Sequence, residues 1–176
     1  IFVMLVLFSM LFFLFYFLEK VHDIQGVIKG FVLAIPLLLL CIASYISGRN
    51  IKGNLSTMKK IMIICLIILS ISTGFVGITS DKLILLLMVT SIVGMSIGVI
   101  LPVLDAIITE NINKEERGTI SSFYSSARFI GVAAGPPILS LAMNDYVSIS
   151  FITASVLGLI LLFIVIKNIK VEEIEN

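Results

Sequence analysis

The sequence predicts an all-α membrane protein, a six-transmembrane-helix bundle. Three observations predict it: the bulk composition, the length of the apolar runs and the shortness of the polar breaks between them. Hydrophobic residues make up 59% of the 176-residue chain and charged residues 13%, with a mean hydropathy of +1.20. Soluble domains lie nearer 45–50% apolar and about 25% charged. Six apolar runs can be marked, at 1–18, 31–47, 61–79, 83–104, 119–143 and 147–166. Crossing a hydrocarbon core of about 30 Å takes roughly 20 apolar residues as a helix. A barrel strand would alternate over about ten residues, and these runs are longer and continuous, so helix is the form that satisfies the backbone in lipid.

The first run ends at Glu19-Lys20 and has no basic leader, so it does not resemble a signal peptide. The chain opens inside that run, and a fragment with further sequence upstream is expected. The second run is short but extends readily into Gly30 and Gly48. The third follows Lys59-Lys60. The fourth reaches about 33 Å at about 1.5 Å per residue and carries Gly94, Gly98 and Pro102. The fifth differs from the others in holding Arg128 near its middle and Gly135-Pro136-Pro137 near its end. The sixth is apolar throughout, and the polar segment 167–176 is expected to be a cytoplasmic tail and a natural end. The breaks at 19–30, 48–60, 80–82, 105–118 and 144–146 leave no room for a soluble domain, so one membrane domain covers 1–176.

Basic residues set the orientation. Arg49, Lys52, Lys59, Lys60, Lys114, Arg117, Lys167 and Lys170 fall on one side, against Lys20, Lys29 and Lys82 on the other. The first side, with the C-terminus and the start of the first span, is assigned to the cytoplasm.

Several chemistries are excluded. A net charge of +1 gives no reason to expect nucleic acid. Cys41 and Cys65 lie far apart in apolar runs, with neither metal-ligand nor disulfide spacing, and are expected as buried free thiols. No phosphate-binding glycine loop is present. Gly94-Met95-Ser96-Ile97-Gly98 matches the G-x-S-x-G pattern of a serine nucleophile, a reading that would make the chain an intramembrane protease. That chemistry needs a base within reach and a strand-turn-helix setting. The one histidine, His22, sits in the first outward loop. The chain is therefore not read as an enzyme, and no cofactor or metal is expected.

Arg128 is the leading site candidate. An arginine at the centre of a membrane helix costs about 2.5–3.5 kcal/mol on insertion scales and normally faces protein or water. Ser121, Tyr124, Arg128, Gly131 and Gly135 share one helical face at spacings of three and four. Such a stripe makes either the wall of a substrate pathway or a tight helix contact, and all five are taken as pathway candidates. Pro136 and Pro137 remove two backbone donors and imply a kink or break; Pro102 is a further kink position. Asp105 closes the fourth run on a face with Ser91, Gly94, Gly98 and Pro102. It is expected in a cytoplasmic gate with Arg49 or Arg117 as partner and Glu116 beside it. No carboxylate lies near the middle of a span. If transport is proton-driven, Glu19 carries the proton or the carrier lies upstream.

These residues resemble the C-terminal six-helix half of the major facilitator superfamily, over essentially the whole chain. The resemblance rests on Asp105 followed by Glu116-Arg117-Gly118, and on Gly131-Val132-Ala133-Ala134-Gly135-Pro136-Pro137, which is similar to the glycine-proline motif of drug-proton antiporters. That motif usually marks helix five of the first half; here it stands at the pseudo-symmetric helix eleven. Ser47-Gly48-Arg49-Asn50-Ile51-Lys52-Gly53 stands where the basic loop between helices eight and nine would be, without the Asp-Arg pair of the full motif. The resemblance implies half of a twelve-helix fold and a missing N-terminal six-helix half. It further implies alternating access around a midplane site and proton-coupled efflux of a small amphipathic compound, a drug or siderophore, across a bacterial plasma membrane. A membrane scaffold that moves no solute is the alternative.

Overall fold

The structure is a computed structural model that describes residues 1–50, 55–79, 82–110, 116–143 and 146–168. Six helices occur among them: α1 (Phe2–Lys20), α2 (Gly26–Asn50), α3 (Leu55–Ile78), α4 (Leu83–Glu110), α5 (Arg117–Ala142) and α6 (Val147–Asn168). Most outrun the apolar stretches that announced them. Hydropathy marks the part of a helix that meets lipid, whereas hydrogen bonding carries the helix on into the interface. Asp105, expected at a span end leading into a turn, therefore lies inside α4. Lys52, Lys114, Lys170 and most of the expected tail lie outside the described residues. Between α1 and α2 the chain reverses through two left-handed residues, Asp23 at φ 49° and Gly26 at φ 64°. Glycine adopts the second without the steric cost that a Cβ would bring.

Packing does not follow chain order. α2 lies chiefly on α4, α3 on both α6 and α4, and α1 on α5, whereas the sequence neighbours α1 and α2 touch only slightly. One apolar cluster fills the centre, with Met10 and Leu14 of α1, Met62 and Leu69 of α3, and Leu86 and Ile97 of α4 all buried. α2 and α6 leave most of their surface exposed. Lipid offers no hydrophobic drive for helices to associate, so small residues that permit close approach take over that role. The pair Gly94 and Gly98 provides it for α2 and α4. A Cβ on Gly94 would stand 2.6 Å from the Pro36 carbonyl oxygen, and one on Gly98 would strike the Leu40 carbonyl oxygen. Between α3 and α6, the Ser148 hydroxyl donates to the Gly77 carbonyl at 2.6 Å.

Five of the helices are long and apolar enough to cross a membrane by length and composition; α5, at 26 residues, is not among them. Its first half holds Ser121, Ser122, Ser125, Ser126 and Arg128. These polar residues set α5 apart from the other five helices, as Arg128 already did in the sequence. α5 runs unbroken through Pro136 and Pro137, so the break allowed at those residues is absent. The carbonyls of Val132 and Ala133 lose the donors those positions would normally supply.

Candidate transport site

Arg128 lies about three turns into α5, and Asp105 lies in the last turns of α4. The two meet through Arg128 Nη1 and Asp105 Oδ1 at 3.4 Å, with their side chains 33% and 50% exposed. Tyr124, one turn before Arg128 on the same face, places its ring centroid 5.5 Å from the guanidinium carbon, within cation–π range. Its hydroxyl faces Asp105 and Arg128 but is buried without a hydrogen-bond partner. Tyr124 and Arg128 line a cavity of about 630 Å³ whose other walls include Met4 of α1, Met62 of α3, Ile100 of α4 and Val165 of α6.

The five-residue stripe divides. Tyr124 and Arg128 border the cavity, and Ser121 is half-buried one turn earlier. Gly131 and Gly135 are buried against α1 instead, so their expected place on a pathway wall is corrected to a helix contact. A Cβ on Gly131 would strike the Ile1 carbonyl oxygen, and one on Gly135 would lie 2.9 Å from that of Leu5. The Ser9 hydroxyl of α1 donates to the Gly135 carbonyl at 3.0 Å. The division has a steric cause: glycines let α1 close on α5, while the bulk of Tyr124 and Arg128 one to three turns earlier keeps space open.

The expected gate is rearranged. Asp105 takes Arg128 as its partner, and Arg49, exposed near the end of α2, is not joined to it. Gly48 faces α4, with its Cβ position 3.8 Å from Pro102. The next residue points about 100° away around the helix, which turns Arg49 outward. Arg117 and Glu116 are exposed at the start of α5. Pro102 lies inside an uninterrupted α4. Cys41 is exposed and Cys65 half-buried, so the expectation of two buried thiols is corrected. The Ser96 hydroxyl donates to the Ile92 carbonyl of its own helix at 2.9 Å. No group of three or more metal-ligand side chains occurs among the described residues.

A second charged pair went unread. Lys29 Nζ donates to Glu19 Oε2 at 2.5 Å and lies 3.0 Å from the Phe15 ring centroid. The Lys29 side chain is 8% exposed, that of Glu19 45%. The pair ties the end of α1 to the start of α2, two helices that otherwise touch little. Its members stand ten residues apart across a turn, a separation that no helical periodicity links. Removing the half-exposed carboxylate leaves the buried Lys29 cation uncompensated. Glu19→Gln is expected to lower the melting temperature of the purified full-length protein, and adding Lys29→Met to restore part of the loss. Equal melting of all three forms would show that the pair does not hold the helices.

Among the described residues, charge lies at the helix ends, at the α1–α2 and α4–α5 contacts and on the cavity wall. Residues 1–176 match the family model described as Major Facilitator Superfamily. The chain belongs to the Major Facilitator Superfamily. As a superfamily member it is a multi-pass membrane protein, and its six helices form half of that fold. It is similar to the bacillibactin exporter of Bacillus subtilis (strain 168), with 40% identity over 175 residues, covering 99% of this chain and 43% of the exporter. The chain thus spans less than half the length of that relative.

Proposed function

We propose that this chain is the C-terminal half of a secondary exporter in a bacterial plasma membrane, with its C-terminus cytoplasmic. The cargo is bacillibactin or a related siderophore, a small amphipathic compound. The observation that carries this reading is the Arg128–Tyr124 wall of the 630 Å³ cavity, with Asp105 behind it. Small-molecule sites are mostly apolar concavities of about 300–1,000 Å³ with a few polar groups. A scaffold has no use for a charged side chain lining such a space. The 40% identical exporter supports the choice of cargo.

In this reading the two halves rock about a shared site near the midplane. The long contact between Arg128 and Asp105, half open to the surroundings, is one that a change of state can break. Protonating Asp105 would remove its charge and release Arg128. The Glu19–Lys29 pair occupies the outward end of the bundle, so one carboxylate paired with a cation stands toward each face. Such an arrangement suits an exporter in which inward proton movement drives the cargo outward.

The test expresses the complete gene in cells that make bacillibactin but lack their own route to release it. Bacillibactin should accumulate in the medium, and a protonophore should stop that accumulation. Retention inside the cells despite a full membrane level of protein would sink the cargo reading. Release that persists with the protonophore would sink proton coupling.

A further inference from the structure

The geometry points to a binding site for a small amphipathic monoanion, its acidic head on Arg128 and Tyr124 and its apolar body along the α1, α3 and α4 walls, with that head displacing Asp105. This inference rests on the transport reading above and specifies the charge of the cargo group that Arg128 receives.

A guanidinium offers five N–H donors. One of them, on Nη1, contacts Asp105 at 3.4 Å, well beyond the roughly 2.7–2.9 Å of a strong charge-assisted bond. Arg128 therefore keeps donors for a second acceptor, and its side chain is one-third exposed. The Tyr124 hydroxyl is buried without a partner, and a buried polar group left unpaired is costly. An oxygen acceptor that takes the place of the Asp105 carboxylate, which the hydroxyl faces, would satisfy both groups together.

The sign of the charge follows from which residues face the space. Tyr124 and Arg128 line the cavity, whereas Asp105 is not on its wall. A ligand inside it meets the cation and the hydroxyl before it meets the carboxylate. The remaining wall is apolar, including Phe2, Met62, Ile100 and Leu104. Arg128 is the one cationic side chain on that wall among the described residues, so a second negative charge on the ligand would be left in apolar surroundings. The ligand class is thus a single carboxylate or phenolate on an aromatic or aliphatic body. Displacing Asp105 also links cargo binding to release of the α4–α5 contact, because carboxylate and cargo compete for one guanidinium.

The test uses 1-naphthoate and 1-naphthamide, which share a body and differ in charge. Their binding to the purified full-length protein in lipid nanodiscs is measured by equilibrium dialysis, with protein-free discs as the blank. Naphthoate is expected to bind about tenfold or more tightly than naphthamide, the change that loss of one hydrogen bond to a charged group brings. Arg128→Gln should erase that preference, Arg128→Lys should keep part of it, and Asp105→Asn should tighten naphthoate by removing its competitor. Equal binding of the two probes, no binding of naphthoate, or a preference that survives Arg128→Gln would overturn the proposal. Unchanged naphthoate affinity in Asp105→Asn would overturn the displacement. Bacillibactin release, measured separately, keeps the two readings apart. Intact release without a naphthoate preference removes only the anion site, and a preference without release removes only the transport reading.

Discussion

Gly98→Val is expected to abolish accumulation of folded protein. The Cβ position at residue 98 falls against the Leu40 carbonyl oxygen and 3.1 Å from the Ala43 Cβ. A side-chain end could rotate away, but a backbone carbonyl moves only with its helix. α2 would have to withdraw from α4, its principal partner. Overpacking of this kind costs about 1–3 kcal/mol where the surroundings can adjust, and a rigid helix pair adjusts poorly. The effect is read as the yield and melting temperature of the full-length protein after extraction. Gly30→Ala is the control: nothing lies within 4 Å of its Cβ position. Alanine there should be neutral or slightly stabilising, by up to about 1 kcal/mol, through helix propensity. A Gly98→Val protein that melts with the wild type would show that α2 and α4 do not need the close approach.

The second large effect is expected at Arg128. Arg128→Ala should cut bacillibactin release by about tenfold to a hundredfold, the loss that one or two interactions with a charged group bring. The membrane level should stay unchanged, because removing a charge makes insertion easier. Asp105→Asn should do less harm, since it leaves the guanidinium on the cavity wall and takes away only its competitor. The exchanged pair, Arg128→Asp with Asp105→Arg, should keep the α4–α5 contact but not release, because the cavity would then present a carboxylate. Release at wild-type rates by Arg128→Ala would remove that residue from the site. Full release by the exchanged pair would reduce the two side chains to a structural tie.

The extent to which the chain announced this arrangement varies with the physical signal. Runs of Leu, Ile, Val and Phe announced the helices because transfer into lipid depends on composition, which is a local property. Their ends were misjudged wherever a polar residue continued a helix, as at Lys29 in α2 and Asp105 in α4. Arg128 was legible because a cation in an apolar run is conspicuous by its cost. Tyr124 and Ser121 followed from helical spacing. The separation of Gly131 and Gly135 from Arg128 was not legible, since periodicity says which residues share a face and not what crosses it. The Lys29–Glu19 pair was illegible for a related reason: it depends on how α2 starts after the Asp23–Gly26 turn.

Sequence alone determined that this is a helical membrane protein with one costly cation in its fifth helix, because hydropathy and helical period act over neighbouring residues. Tertiary structure alone decided which acid answers that cation, which glycines are contacts and where the cavity lies. Those depend on packing between helices that are not neighbours in the chain: α1 against α5, α2 against α4 and α3 against α6. The depth of each contact is set by backbone approach at single glycines, a quantity that no local pattern encodes.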